Sequence, residues 1–261
     1  MEALKKHKIN YLSPSSIATF IENPSIYILE KIFKYRFFGG AAAIRGKFIE
    51  SGVNQILSDP VILEYATVDM IAKRMCNDFI NECKQLKITS EEYNKELAFI
   101  EKAIQILPKE LNKFGKVVSY QKEVGYEYKG VHIKGYTDFE FQNKNNLVFV
   151  DLKTTIRQPK ATTRHKIQQY IYGKATNVES KLFYIQIFKT KDKLPKIEEY
   201  NFTQEDEFHI PKLIHQAIEN LNYLCSLANT KDDFKRLITP NPDDWKWSDD
   251  KVKARKEVWG F

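Results

Sequence analysis

The spacing of apolar residues changes period along this chain, and the change divides it into two halves. Up to about residue 115 the apolar positions recur every three or four residues, the mark of amphipathic helices. Ser13 followed by Pro14 is a helix start, since a side-chain oxygen caps the first turn and proline's missing N–H is not needed there. Ile17, Phe20 and Ile21 give that helix its apolar face, and Asn23-Pro24 repeats the signal for a second helix carrying Tyr27, Ile28 and Ile32. Beyond the Gly39-Gly40 break, helices are predicted over 41–57, 65–84 and 91–114. From there the period drops to two. Strands are predicted over 117–128, 131–141 and 147–153, with a turn at Gly130 and a polar loop over 142–146. A helix over 162–175 follows, then strands over 182–188 and 197–202. Thr203, with Asp206 three residues on, caps a long helix ending near Leu227. The tail with Pro240, Pro242, Trp245, Trp247 and Trp259 reads either as a docked irregular segment or as partly disordered; Trp245 and Trp247 are expected to pack on the body.

The expected fold class is α/β, a central mixed sheet of four to five strands flanked by helices, with the N-terminal helices forming a lobe over one edge. Three regions follow: a helical region over 1–115, a core over 116–230 and a tail over 231–261, all within one integrated domain. A 261-residue chain that is 43% hydrophobic can bury a core of that size. No stretch approaches 18 uninterrupted apolar residues, so no membrane partner is expected. The N-terminus lacks the apolar run of a signal peptide. Three cysteines, none in a Cys-x-x-Cys pair, point away from a disulfide framework or structural zinc and towards a reducing cytoplasm.

The formal charge of +7 permits a polyanionic partner, and its distribution is more telling. Between Leu152 and Val178 there is no acid, while Lys153, Arg157, Lys160, Arg164, Lys166 and Lys174 all fall there. That run follows the strand Leu147-Val-Phe-Val-Asp151-Leu-Lys153, whose alternation puts Asp151 and Lys153 on one side. Asp138 ends the preceding strand segment, and a hairpin would bring it near Asp151. Two close carboxylates repel unless a cation lies between them. Oxygen donors of this kind suit Mg²⁺ or Mn²⁺, which activates water and polarises a phosphodiester. Glu123, on the strand before, is a candidate supporting acid. His165 reads as a surface residue.

Gly135-x-Thr-Asp138, then Asp151-x-Lys153, then Gln168-x-x-x-Tyr172 resembles the PD-(D/E)XK nuclease superfamily, in its RecB-like and lambda-exonuclease-like branch. Leu12-Ser-Pro-Ser-Ser-Ile17 with Asn23-Pro24 is similar to the opening helical motif, and Gly46-x-x-x-Glu50 to the helical metal-ligand motif. The resemblance implies that Glu50, Asp138, Asp151 and the carbonyl of Leu152 ligate the metal and that Lys153 positions the attacking water. Gln168 and Tyr172 would lie beside the site, and with Arg157, Arg164 and Lys166 would contact DNA. Several RecB-type members hold an iron–sulfur cluster; here Asn23 replaces its first cysteine and no cysteine follows Cys225, so no cluster is expected. No phosphate-binding loop of the helicase type occurs, so a helicase or recombination protein would be a separate partner chain. The implied activity is a DNA nuclease of recombination or repair, an exonuclease on DNA ends. A structure-selective or general endonuclease and a non-cleaving nucleic-acid-binding protein are the alternatives. The abundance of lysine, isoleucine and asparagine suggests a bacterial or phage source.

Overall fold

The computed structural model describes residues 2–37, 39–59, 65–144, 146–155, 161–176, 180–186 and 196–261. Helices α1 (Glu2–Lys6), α2 (Pro14–Glu22) and α3 (Pro24–Lys31) open the chain. Ser13 caps α2 as expected, its hydroxyl accepting from the Ser16 N–H while the Ser13 N–H donates to the Ser16 hydroxyl. Asn23 caps α3 by accepting from the Ile26 N–H at 3.0 Å. Three longer helices follow, α4 (Ala41–Ser58), α5 (Tyr65–Gln85) and α6 (Ser90–Leu111).

Strands β1 (Lys116–Tyr128), β2 (Val131–Asn143) and β3 (Asn146–Thr155) then form an antiparallel meander. Helix α7 (Thr163–Thr176) crosses over to β4 (Ser180–Gln186), which runs parallel to β3. Strand β5 (Lys196–Tyr200) closes the sheet antiparallel to β4. The result is a mixed five-stranded sheet in the order β1-β2-β3-β4-β5, with β3 at its centre. Helix α8 (Gln204–Leu227) begins at Thr203, whose hydroxyl accepts from the Asp206 N–H at 3.1 Å.

The helices of the first half line two apolar cores. Helices α4–α6 pack with Phe139, Phe141, Val150 and Leu152 of the sheet. Helices α1–α3 join a different core, with α7, α8, Val124, Val131 and Ile133. Apolar periodicity marks a face to be buried but not the partner that buries it. The tail is docked. After a short helix α9 (Phe234–Leu237), helix α10 (Asp249–Trp259) sets Ala254 and Val258 against Leu29 of α3. Asn23 also donates to Asp244 at 2.9 Å. Trp247 donates its indole N–H to the Asn241 carbonyl at 2.6 Å, but Trp245 is 86% exposed and does not pack on the body.

Candidate active site

Strand alternation builds the site. The odd positions Phe139 and Phe141 of β2, paired with Val150 and Val148 of β3, are drawn into the apolar core. That leaves Asp138, Asp151 and Lys153 to the opposite side of the two strands. The register Phe139 to Val150 sets Asp138 across from Asp151. Both acids are buried. The Leu152 N–H donates to Asp138 Oδ2 at 2.8 Å, tying one acid to the backbone that carries the other. Lys153 Nζ lies 2.6 Å from Asp151 Oδ2.

Helix α7 closes over this strand end. Gln168 Nε2 donates to Asp151 Oδ1 at 2.8 Å and lies 3.0 Å from the Tyr172 hydroxyl, which donates to the Tyr136 carbonyl at 2.6 Å. Tyr172 comes that close because residue 135 is glycine: a Cβ there would meet Tyr172 Cε1 at 2.8 Å and Pro14 Cδ at 3.2 Å. The glycine of the Gly-x-Thr-Asp segment thus leaves room for α7 and α2.

Glu50 reaches the same cluster from α4. Burial lifts its carboxyl to about 7, with the Asp151 carboxylate adding to the rise and Lys153 and Gln121 opposing it. Burial likewise raises Asp138 well above the carboxylate range, reinforced by Asp151 and Glu50. Burial alone would depress the Lys153 ammonium, but Asp151, Asp138 and Glu50 outweigh it and hold the group protonated, above its ordinary value. Three carboxylates therefore share one ammonium.

Among the described residues no three Asp, Glu, His or Cys side chains close into a metal cage. The donor chemistry nonetheless fits a hard divalent cation. The facing groups are carboxylate oxygens, buried and short of positive charge, and a doubly charged ion would lower the cost of ionising all three.

Two contributors carry no sequence signal. Gln121 donates to Glu50 Oε2 at 3.2 Å, and its φ of 50° places it in the left-handed region, which interrupts the alternation of β1. Tyr120 faces the same charges; burial pushes its hydroxyl up to about 12, helped by Glu50 and Asp138. His165 is half-buried rather than a surface residue, and burial, then Lys153, depress its imidazole. Its ring nitrogen accepts from the Thr162 N–H at 3.5 Å at the start of α7.

Other expected residues are placed elsewhere. Glu123 is engaged by Lys134 at 2.6 Å and by the Tyr136 hydroxyl at 2.9 Å on the exposed face of the hairpin. Arg164 braces α7 against α2, donating to Glu22 at 2.8 Å and to Thr19 at 3.1 Å. Lys166 meets Asp206 of α8 at 2.6 Å. Arg157 and Lys160 lie outside the described residues.

A model of the PD-(D/E)XK nuclease superfamily matches residues 11–243 of this chain. A protein of Eubacterium rectale, described as a putative exonuclease, has a similar crystal structure. It aligns at a TM-score of 0.52 with 15% identity, over 97% of this chain and 89% of that one. A second solved structure, SSO0001, aligns at a TM-score of 0.31 with 18% identity, over 67% of this chain and 86% of that one, too loosely to bear on the fold. No curated protein matches the sequence.

Proposed function

The chain belongs to the PD-(D/E)XK nuclease superfamily, and from that membership we propose that it is a divalent-metal-dependent deoxyribonuclease acting on DNA ends. The observation that carries the reading is the meeting of Glu50, Asp138 and Asp151, from three separate elements, around the Lys153 ammonium. End-directed cleavage is also the mode in the description of the Eubacterium rectale protein of similar fold.

Glu50, Asp138, Asp151 and the Leu152 carbonyl would hold Mg²⁺ or Mn²⁺. Such an ion supplies a Lewis acid that polarises the scissile phosphate and makes bound water acidic. The chain's own groups do the positioning. The Leu152 N–H holds Asp138 by one oxygen, and Gln168 holds Asp151 by one oxygen, so each carboxylate keeps a second oxygen for the ion or for Lys153. Lys153, held protonated by the three acids, would serve as a positive charge that orients water and meets charge developing on the phosphate. Tyr172 fixes the Gln168 amide, and through it the orientation of Asp151.

End-labelled linear DNA and a closed circle of the same sequence, incubated with Mg²⁺, Mn²⁺ or EDTA, test the reading. Wild-type protein is expected to shorten the linear DNA with either ion and leave the circle intact. Lys153→Ala is expected to cut about a hundredfold more slowly or worse. Cleavage in EDTA, or a Lys153→Ala variant as active as wild type, would overturn it, and nicking of the circle would replace the exonuclease by an endonuclease.

A further inference from the structure

A second concave surface lies where α2 and α3 meet the tail. It is a cleft of about 480 Å³, within the range of about 300–1,000 Å³ typical of small-ligand sites. Its lining includes Trp245, Lys246, Lys251, Arg164, Glu22 and Glu30. Trp245 is the most exposed large hydrophobic residue among the described residues, at 86%. Its indole is flanked by the Lys246 ammonium, 5.0 Å from the ring centroid. Lys251 Nζ lies 3.4 Å from the Lys246 carbonyl. Among the described residues neither ammonium makes a close ion pair, whereas Arg164, Lys166 and Lys134 all do; the Asp244 carboxylate feels both charges from a greater distance.

An exposed indole beside two ammonium groups that make no close ion pair is the chemistry that holds unpaired nucleotides, a π-face for the base and charge for the backbone. The same surface suits duplex DNA poorly, because bases in a stack offer no face to an indole. Glu22 is already answered by Arg164 at 2.8 Å. Glu30 is the remaining acid, which suits a base amino group and disfavours a phosphate, so the phosphates fall to Lys246 and Lys251. Helix α7 runs from the cleft to the acidic cluster, with Arg164 in the cleft wall and Gln168 on Asp151. Arg164 precedes His165, which feels the charges of Lys153 and Asp151. Both occupy the first turn of α7. The family match ends at residue 243, just before Trp245, so this wall of the cleft lies outside the shared nuclease region.

We infer that this cleft is a single-strand holding site, in which Trp245 stacks on an unpaired base and Lys246 and Lys251 take the adjoining phosphates of a strand that continues to the carboxylate cluster. The inference takes its ligand class from the proposed nuclease function. It makes the protein selective for a strand with an unpaired segment next to the cut.

Fluorescence anisotropy with a labelled deoxythymidine decamer and a blunt duplex, in EDTA so that nothing is cut, measures the site apart from the chemistry. Trp245→Ala is expected to weaken single-strand binding about fivefold to a hundredfold, with duplex binding and the melting temperature unchanged. Trp245→Phe, which keeps a ring, is expected to recover most of the loss. Equal binding by Trp245→Ala and wild type, equal losses for decamer and duplex, or no decamer binding by wild type would each overturn the inference. The two readings fail separately. Decamer binding that depends on Trp245, in a protein that cuts no DNA with Mg²⁺ or Mn²⁺, removes the nuclease reading and supports the cleft. Cutting that is indifferent to Trp245, on substrates with an unpaired end, removes the cleft and leaves the nuclease.

Discussion

Replacing Glu50 with glutamine separates the charge of the site from its packing, because the two side chains nearly match in shape. Burial, with Asp151 adding to it, raises the Glu50 carboxyl from 4.5 to about 7 against the pull of Lys153 and Gln121. Between those values the folded protein binds more protons than the unfolded chain, so stability falls as pH rises through the interval and is lowest above it. Asp138, raised for the same reasons, steepens the fall. The shift at Glu50 alone corresponds to roughly 3 kcal/mol by pH 8. Glu50→Gln removes that cost. In EDTA at pH 8 the variant should be more stable than wild type by up to about 3 kcal/mol, and at pH 5, where Glu50 is protonated in the folded protein, the gap should shrink to about 1 kcal/mol or less. Urea denaturation at the two pH values measures the difference. Saturating Mn²⁺ should reverse the order at pH 8, since an ion that needs the Glu50 carboxylate stabilises wild type by mass action and the variant far less. A wild-type protein equally stable at both pH values in EDTA, with no gain for the variant at pH 8, refutes the reasoning.

Three further substitutions probe the frame around the site. Gly135→Ala should destabilise the fold by about 1–3 kcal/mol in thermal unfolding, and slow DNA cleavage as well, because the new methyl pushes Tyr172 and Pro14 away from β2. Gln168→Ala removes the donor to Asp151 and the contact with Tyr172, and should weaken Mn²⁺ binding about tenfold to a hundredfold in a calorimetric titration with little change in stability. Glu96→Ala removes the buried carboxylate that Arg45 meets at 2.5 Å in the α4–α6 core, and should cost about 3–5 kcal/mol by urea denaturation.

The elements around these residues were largely legible in the chain. The change of apolar period near residue 115 marks the passage from helices to sheet, and the side-chain caps at Ser13, Asn23 and Thr203 mark helix starts because they report local hydrogen bonds. Asp138 and Asp151 were legible as neighbours because a hairpin with a short loop leaves few registers open. What resisted reading depends on distant partners. Arg164 and Lys166 look like phosphate contacts by sign, yet Glu22 and Asp206, distant in sequence, claim their charges. Gln121 joins Glu50 only through a left-handed backbone angle that its residue type does not announce. Trp245 and Trp247 are two residues apart and of one kind, but only the second finds a carbonyl for its indole N–H.

Helix α7 holds Asp151 through Gln168, is pinned to α2 through Arg164 and Glu22, and is pinned to α8 through Lys166 and Asp206. It therefore behaves as a keystone wedged between two walls: its height above the sheet is set by both at once. A substitution that tilts α2 or α8 should therefore shift Gln168 and, through it, the oxygen of Asp151, so the tolerance of the acidic cluster to drift depends on packing and ion pairs well away from it.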